Sequence, residues 1–366
     1  MRAAVYDRGC VEGIKVVTTR ALPPNSKSAL LVRVKACGVN PVDAKGVIGD
    51  KLPPALRSFA RRVVDGKGAG FDLSGIVEHA PVDSGFAVGD EVFGAVPPFR
   101  GALADLVSVP LDQVCLKPST LTNEQAAATV LPGVTCLQLL KQHGFREGDN
   151  VLVLGASGGV GHMCVQLLRA RNAGYVCGVC SEKNEDFVKR LGADCVVAYD
   201  GPSGSQSGDA VVEGLKKAVR ANNDRPFDLV IDTVTSHDPR DISNQYERRI
   251  REAHGVVRRS DKKKNENSQV DPHNYVTIGG STALWVKAGL KRILGINLFP
   301  KGFELFWIKF PGCAVELGEL KRMVEEREKA FAPAIAATFP LTDDGVRAAF
   351  EKLHARRVVG KVVVVP

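Results

Sequence analysis

The sequence predicts an α/β fold in which a β-rich N-terminal segment precedes a doubly wound parallel sheet. Three observations carry that expectation. Short apolar runs separated by Gly/Pro turns fill the chain before residue 122. From residue 150 onward, strand-like and helix-like segments alternate, which is the pattern of βαβ units. Between the first such strand and helix lies the glycine-rich turn Gly155-Ala-Ser-Gly-Gly-Val-Gly161.

The N-terminal run Met1-Arg-Ala-Ala-Val-Tyr6 is strand-like, and further short strands are expected at Leu30–Ala36, Gly75–His79, Glu91–Ala95 and Leu103–Val109. Leu22-Pro-Pro-Asn25 and Val96-Pro-Pro98 supply turns between them. Thr122-Asn-Glu-Gln125 reads as a capping box opening an Ala-rich helix, the expected hinge into the second domain. There the strands are expected at Asn150–Leu154, Tyr175–Val179, Cys195–Ala198, Leu229–Asp232 and Tyr275–Ile278. Helices are expected at Gly161–Arg171, Asn184–Leu191 and Asp209–Ala221, with a charged amphipathic helix at Leu317–Lys329. Gly201–Gly208 is a turn-rich surface loop, and Arg357–Val365 is a strand returning to the β-rich domain.

The glycine turn is the most specific motif. Four apolar residues, Val151–Leu154, form a buried strand, and helical spacing from Val160 to Arg171 follows, so an open helix N-terminus faces the turn. Such a terminus binds the pyrophosphate of a dinucleotide through free N–H groups and the helix dipole. The fingerprint G-x-G-x-x-G is present as Ala156-x-Gly158-x-x-Gly161, in the strand–turn–helix context that gives it meaning. Ala156, Ser157, Gly158, Gly159, Val160 and Gly161 are therefore candidate cofactor contacts. The second strand should end at Cys180, followed by Ser181-Glu-Lys183 with no acid at the strand tip. An acid there would accept from a ribose 2′-hydroxyl, whereas a 2′-phosphate needs small polar and basic residues. Ser181, Lys183 and Tyr199 thus favour NADPH, with Glu182 the dissenting residue. Val234 and Gly279, just beyond the strands at 229–232 and 275–278, complete the candidate cofactor set.

Composition bounds the function class. The chain has 366 residues, 44% hydrophobic and 25% charged, so two globular domains are expected and no apolar run approaches a membrane span. The N-terminal residues show neither a secretory nor a transit pattern, and a cytoplasmic location is the default expectation. Nine cysteines are scattered singly, which suits buried reduced thiols rather than a disulfide framework. Cys177-Gly-Val-Cys180 resembles a redox pair but falls on a strand rather than at a helix start. The net charge of +8 is concentrated between Tyr246 and Lys264, where eight Arg/Lys face Glu247, Glu252 and Asp261. That segment reads as an exposed insertion, not a core element, and offers a patch for acidic partners or nucleic acid, with nucleic acid the disfavoured case.

The sequence resembles the medium-chain dehydrogenase/reductase superfamily, in its zinc-independent quinone oxidoreductase branch. The residues that carry this are Ala36-Cys-Gly-Val-Asn-Pro-Val-Asp43, Gly70-Phe-Asp-Leu-Ser-Gly-Ile-Val77, Val88-Gly-Asp-Glu-Val-Phe93, Leu131-Pro-Gly-Val-Thr135, the glycine turn and Leu191-Gly-Ala-Asp194. Ala95-Val-Pro-Pro-Phe99, Tyr275-Val-Thr-Ile278 and Val359-Gly-Lys361 are similar to the reticulon-4-interacting protein type of NAD(P)H oxidoreductase.

The resemblance implies a GroES-like β-barrel domain from residues 1–125 and 312–366. It also implies a Rossmann domain over 126–311 with a basic insertion at about 236–273. The implied activity is hydride transfer from NADPH to a quinone or an α,β-unsaturated carbonyl (enone). Zinc-dependent relatives carry ligands where this chain has Asn40 and Gly70-Phe71-Asp72, so no metal is expected. Asn40 and Asp43 match the family's active-site motif, Asn40 as an amide donor to ribose or substrate and Asp43 as its orienter or a proton relay. Thr135 matches a position near the nicotinamide. Many relatives have a tyrosine after the glycine matching Gly49; here Asp50 follows, and Lys45 or solvent is left as proton source. The expected partners are a small quinone or enone and a second copy of the chain as a homodimer. The relatives leave a mitochondrial location open. The alternative function is an NADPH-binding redox sensor, or an RNA- or protein-binding protein, that uses the basic segment.

Overall fold

The computed structural model describes residues 1–7, 10–18, 28–45, 64–200, 208–234, 245–258, 274–309, 312–326, 331–355 and 357–366. In chain order the elements are β1 (Arg2–Asp7), β2 (Cys10–Thr18), β3 (Ala29–Val39), α1 (Pro41–Lys45), β4 (Asp72–His79), β5 (Glu91–Ala95), β6 (Leu106–Pro110), β7 (Val114–Leu116) and α2 (Asn123–Gln142). Then follow β8 (Asn150–Leu154), α3 (Gly161–Ala170), β9 (Tyr175–Cys180), α4 (Glu185–Arg190), β10 (Cys195–Ala198), α5 (Gly208–Ala221), β11 (Leu229–Asp232), α6 (Tyr246–Glu252) and β12 (Tyr275–Thr277). The last are α7 (Thr282–Leu294), β13 (Phe303–Leu305), α8 (Ala314–Glu326), β14 (Ile335–Pro340), α9 (Asp343–His354) and β15 (Lys361–Val365). They form two units, Met1–Val134 with Lys309–Pro366, and Thr135–Ile308. The division falls inside α2, whose start is built by the reciprocal box of Thr122 and Gln125: Gln125 N–H donates to Thr122 Oγ1 and Thr122 N–H to Gln125 Oε1.

The first unit is the GroES-like one. Its main sheet runs β14-β15-β3-β4-β5-β7, with β6 also paired to β3, and β1 and β2 form a separate antiparallel ribbon. Along β3 the pattern changes in a way that foreshadows the site. Val32 and Val34 are buried between exposed Arg33 and Lys35, then every residue from Ala36 to Asn40 is buried. One side of the strand faces solvent at its start, whereas its end is covered on both faces. The C-terminal strand returns as expected: β15 pairs antiparallel with β3, Val362 opposite Val39. Leu30, Leu73, Val92 and Phe350 of α9 share the core of this unit.

The second unit is a Rossmann-type sheet in the order β10-β9-β8-β11-β12-β13, with every pair parallel. Every residue of β8 is buried, as a strand covered by helices on both faces must be. The chain steps outward from β8 on one side through β9 and β10, and on the other through β11 to β13. The order therefore reverses between β8 and β11, and ligands of such sheets sit at the strand carboxyl ends beside that reversal. Three-residue β13 is too short to leave a periodic signal in the sequence.

Two expectations are corrected here. The segment from Tyr246 is not simply an exposed insertion: α6 buries Tyr246 and Ile250, Val256 is also buried, and Val257 bridges to Phe227. Tyr246 and Ile250 lie four residues apart and so share a helix face, which the surrounding arginines hide from a charge count. The rest of the expected insertion, 235–244 and 259–273, lies outside the described residues, as do residues 201–207 of the Gly/Ser-rich loop. The cysteines are not all free thiols either, because Cys136 of α2 and Cys164 of α3, both buried, are joined in a disulfide. Cys177 and Cys180 are both free and buried on β9, an odd separation that turns them to opposite faces. Among the described residues no helix is long and apolar enough to cross a membrane.

Candidate functional site

In the first unit, strand register assembles a buried polar cluster. Gly38 of β3 stands opposite Asp72 of β4, and Val39 opposite Val362 of β15. This brings Asn40, just after β3, beside Asp72 and Lys361, while α1 carries Asp43 one turn further on. A side chain at 38 would meet the main-chain oxygen of Ala127 at 2.7 Å, so glycine lets α2 close over the strand end. Asn40, Asp43, Asp72 and Lys361 are 2%, 0%, 0% and 4% exposed, so their hydrogen bonds are set by one another.

Those bonds are specific. Lys361 Nζ donates to Asn40 Oδ1 at 2.5 Å and to the Val39 carbonyl at 2.9 Å. Asn40 Nδ2 donates to Asp72 Oδ2 at 2.8 Å and to the Gly38 carbonyl at 3.2 Å. The Asn40 main-chain N–H donates to Asp43 Oδ2 at 2.6 Å, and the Leu131 N–H to Asp72 Oδ2 at 3.2 Å. Among the described residues, Asp43 Oδ1 and Asp72 Oδ1 are buried without a partner. Two carboxylates and one ammonium out of water would leave a net negative charge, so the cluster retains a proton. Burial, reinforced by the neighbouring Asp72, pushes the Asp43 carboxyl up to about 8. Burial also raises Asp72, to about 6, against the opposing pull of Lys361 and Asn40. Lys361 is itself lowered by burial, with Asp72 and Asp43 opposing that shift.

A pH dependence follows. An acid raised in the folded state takes up a proton on folding, so its favourable contribution is full below its ordinary value of 3.8 and is lost as pH rises through about 8. The slope is at most about 1.4 kcal/mol per pH unit for one proton. Asp43→Asn should remove it, so the parent loses stability relative to the variant between those limits. Urea unfolding at stepped pH checks this; a parent–variant difference that stays flat would contradict it.

The second unit carries the glycine turn. Gly155 holds φ of +75°, and the Gly158 N–H closes the turn onto the Gly155 carbonyl at 2.9 Å. A Cβ at 161 would sit 2.1 Å from that same oxygen, so α3 packs against the turn as only glycine permits. The alanine in the first fingerprint slot is accommodated by Gly178 of β9, where a side chain would meet the Ala156 methyl at 2.9 Å. Among the described residues the N–H groups of Gly159 and Val160 have no hydrogen-bond partner, and the first turn of α3 has no acid. Two unspent donors at the positive end of a helix fit an anionic diphosphate.

Around that turn the other candidates are distributed as follows. Ser157 Oγ accepts from Asn184 Nδ2 at 3.2 Å. Ser181 is buried at the end of β9 and Lys183 is exposed next to it. Tyr199 is half-buried after β10, its N–H bonded to the Cys180 carbonyl. Val234 donates its N–H to Asp232 Oδ1 at 2.9 Å. Gly279 is held by Thr277, whose hydroxyl donates to the Gly279 carbonyl at 2.6 Å. Thr135 is buried in α2.

Sequence reasoning missed several residues that shape both sites. Lys361 and Asp72 complete the first cluster, and a lone lysine in a run of valines was the available signal. Asp232 pins Val234 and accepts from Tyr275 Oη at 2.7 Å; Thr233 Oγ1 ties the end of β11 to the Leu154 carbonyl at 2.7 Å. Asp200 accepts the Glu182 N–H at 2.7 Å, so an acid does stand close to the strand end, contrary to the expectation from the residues that directly follow β9. Gly49 and Asp50 lie outside the described residues, as does the Lys45 side chain. Among the described residues no group of three His, Cys, Asp or Glu could hold a metal ion.

Known proteins share this plan of a GroES-like unit and a parallel dinucleotide-type sheet in one chain. Residues 26–119 match the alcohol dehydrogenase GroES-like domain, and residues 159–246 match the zinc-binding dehydrogenase family. The chain is 35% identical over 218 residues to the NAD(P)H oxidoreductase RTN4IP1, mitochondrial, of Homo sapiens, a match spanning 56% of this chain and 52% of that protein. It is 31% identical over 241 residues to the chloroplast envelope quinone oxidoreductase homolog of Arabidopsis thaliana, covering 63% of this chain and 70% of that one. In fold it is similar to the quinone oxidoreductase from Coxiella burnetii, with a TM-score of 0.72 at 24% identity over 100% and 99% of the two chains. The chain belongs to the medium-chain dehydrogenase/reductase superfamily, in its quinone oxidoreductase branch.

Proposed function

We propose that this protein is an NADPH-dependent reductase that passes a hydride to a quinone or an α,β-unsaturated carbonyl without a metal ion. The observation that carries the reading is the glycine turn with its two unspent N–H donors at the start of α3. In this reading Gly159, Val160 and the helix dipole hold the pyrophosphate, with Ala156, Ser157, Gly158 and Gly161 shaping its bed. Ser181 and Lys183 take the 2′-phosphate, Tyr199 lies beside them, and Thr135, Val234 and Gly279 line the cofactor's remaining length. Bound NADPH supplies the hydride, so the chain's own task is positioning and charge control. Asp43 holds a proton at neutral pH because it is buried beside Asp72, and Asn40 is fixed next to it. The human NAD(P)H oxidoreductase and the Arabidopsis quinone oxidoreductase homolog, as relatives, support oxidoreductase chemistry and a quinone-type acceptor.

The partner-binding reading rested on the basic segment, and its described part is largely committed elsewhere. Arg249 pairs with Asp209, Arg251 with Glu247 and Arg258 with Asp228, while Tyr246 and Ile250 are core residues.

Titration of the two reduced nicotinamide cofactors tests the cofactor assignment. NADPH should bind about tenfold tighter than NADH, or ~1.4 kcal/mol, and Lys183→Ala should narrow the gap. Equal affinities would overturn it, and Asp200 would then be the acid to examine. For the metal, exhaustive chelation should leave NADPH-dependent quinone or enone turnover unchanged; activity lost on chelation and restored by zinc would refute a metal-free site.

A further inference from the structure

We infer that Lys361 and Asp72 are positioning residues for the reductase, acting together to hold the Asn40 carboxamide in a single orientation beside Asp43. This rests on the reductase reading above. A carboxamide can occupy the same space in two ways, related by a half-turn that exchanges its oxygen and nitrogen. Here charges of opposite sign stand at its two ends. The ammonium of Lys361 faces Oδ1 at 2.5 Å and the carboxylate of Asp72 faces Nδ2 at 2.8 Å. The half-turn would set an NH2 against an ammonium and a carbonyl oxygen against a carboxylate, both repulsive and both out of water.

Each charged group is locked in turn. Lys361 also donates to the Val39 carbonyl and Asp72 accepts the Leu131 N–H, so neither end swings freely. Lys361 and Asp72 are 3.9 Å apart, so they engage Asn40 more closely than each other. The consequence for Asn40 differs from a simple donor role. Both its amide hydrogens are spent within the unit, on Asp72 and Gly38, and its oxygen keeps one lone pair beyond the bond from Lys361. Fixed this way, Asn40 presents an acceptor, and its main-chain N–H is held on Oδ2 of the Asp43 carboxyl. The titratable groups around this pair are Tyr6, whose hydroxyl donates to the Asp43 carbonyl, with Cys37, Asp72 and Lys361, and Cys313 near Asp72.

The test uses the full chain as parent, Lys361→Met, Lys361→Arg and Asp72→Asn. Side-chain amide NMR of the ligand-free protein reads the orientation directly. The parent should show two resolved, slowly exchanging Asn40 amide protons. Those protons should shift and broaden in Lys361→Met and Asp72→Asn, and be recovered in Lys361→Arg. NADPH affinity should stay within about twofold in all three, since the glycine turn belongs to the other unit, while kcat/KM for a quinone falls about tenfold or more through kcat in Lys361→Met and Asp72→Asn and is recovered in Lys361→Arg. The acidic limb of the kcat/KM pH profile should move with them. If Lys361→Met does not fold, Asp72→Asn decides, because it keeps the side chain's size and shape while removing its charge and turning one of its two acceptor oxygens into an NH2 donor. Folded variants with parental Asn40 amide signals and a parental pH profile would overturn the inference. A parent that turns over no quinone or enone would instead defeat the reductase reading, leaving the NMR result to decide the orientation.

Discussion

Gly161→Ala is expected to cost the protein its dinucleotide affinity, by about 100-fold or more, which is ~2.7 kcal/mol. The added methyl would lie 2.1 Å from the Gly155 oxygen, 2.8 Å from the Gly155 carbonyl carbon and 2.9 Å from the Ala156 Cα. All three are main-chain atoms, so no side chain can move aside to make room. Either α3 withdraws from the turn or the turn opens, and both displace the N–H groups of Gly159 and Val160 that would hold a diphosphate. Overpacking of this kind also lowers stability by about 1–3 kcal/mol. Isothermal titration with NADPH on a folded variant checks it. Binding within twofold of the parent would mean that the turn is not the cofactor's bed.

Ile250→Ala should destabilise the second unit by about 2–5 kcal/mol, the cost of a cavity where a fully enclosed aliphatic side chain stood. Ile250 is 0% exposed and belongs to the same core as Tyr246, Val256 and Phe227. The exposed neighbour Arg248, changed to alanine, should shift stability by no more than about 0.5 kcal/mol. Chemical unfolding of the two variants side by side separates a core helix from a surface insertion. Equal, small effects would restore the view of this segment as an appendage that can be trimmed.

That contrast also shows where sequence reasoning works. The glycine turn, the capping box at Thr122 and the strands β8 to β11 are local patterns, complete within a few residues, and the structure reproduces them. The return of the C-terminal strand to the β-rich unit was legible because a run of valines needs a buried partner, whereas its pairing with β3 was not. The cluster around Asn40 was only half legible. Its members are joined by register across strands, at sequence separations of 32 for Asn40 and Asp72 and 321 for Asn40 and Lys361. No spacing rule reaches that far, although an isolated lysine in Val-Val-Gly-Lys-Val-Val-Val was a sign of a buried, paired charge. The Cys136–Cys164 disulfide was hidden for the same reason, since 28 residues of separation say nothing of which helix faces meet. Asp200 is not legible from the end of β9 alone, because its carboxylate reaches back from just beyond β10 to the Glu182 N–H.

The proposed reaction is hydride delivery from NADPH to a carbonyl-conjugated acceptor. Its most direct test is a reaction of the chelator-treated protein with NADPH deuterated at C4 of the nicotinamide and a small enone, followed by mass analysis of the product. Deuterium is expected on the carbon β to the carbonyl, with the proton at the α carbon drawn from solvent-exchangeable sites. Consumption of the enone without deuterium in the product, or no consumption of any enone or quinone by a protein that binds NADPH, would contradict it.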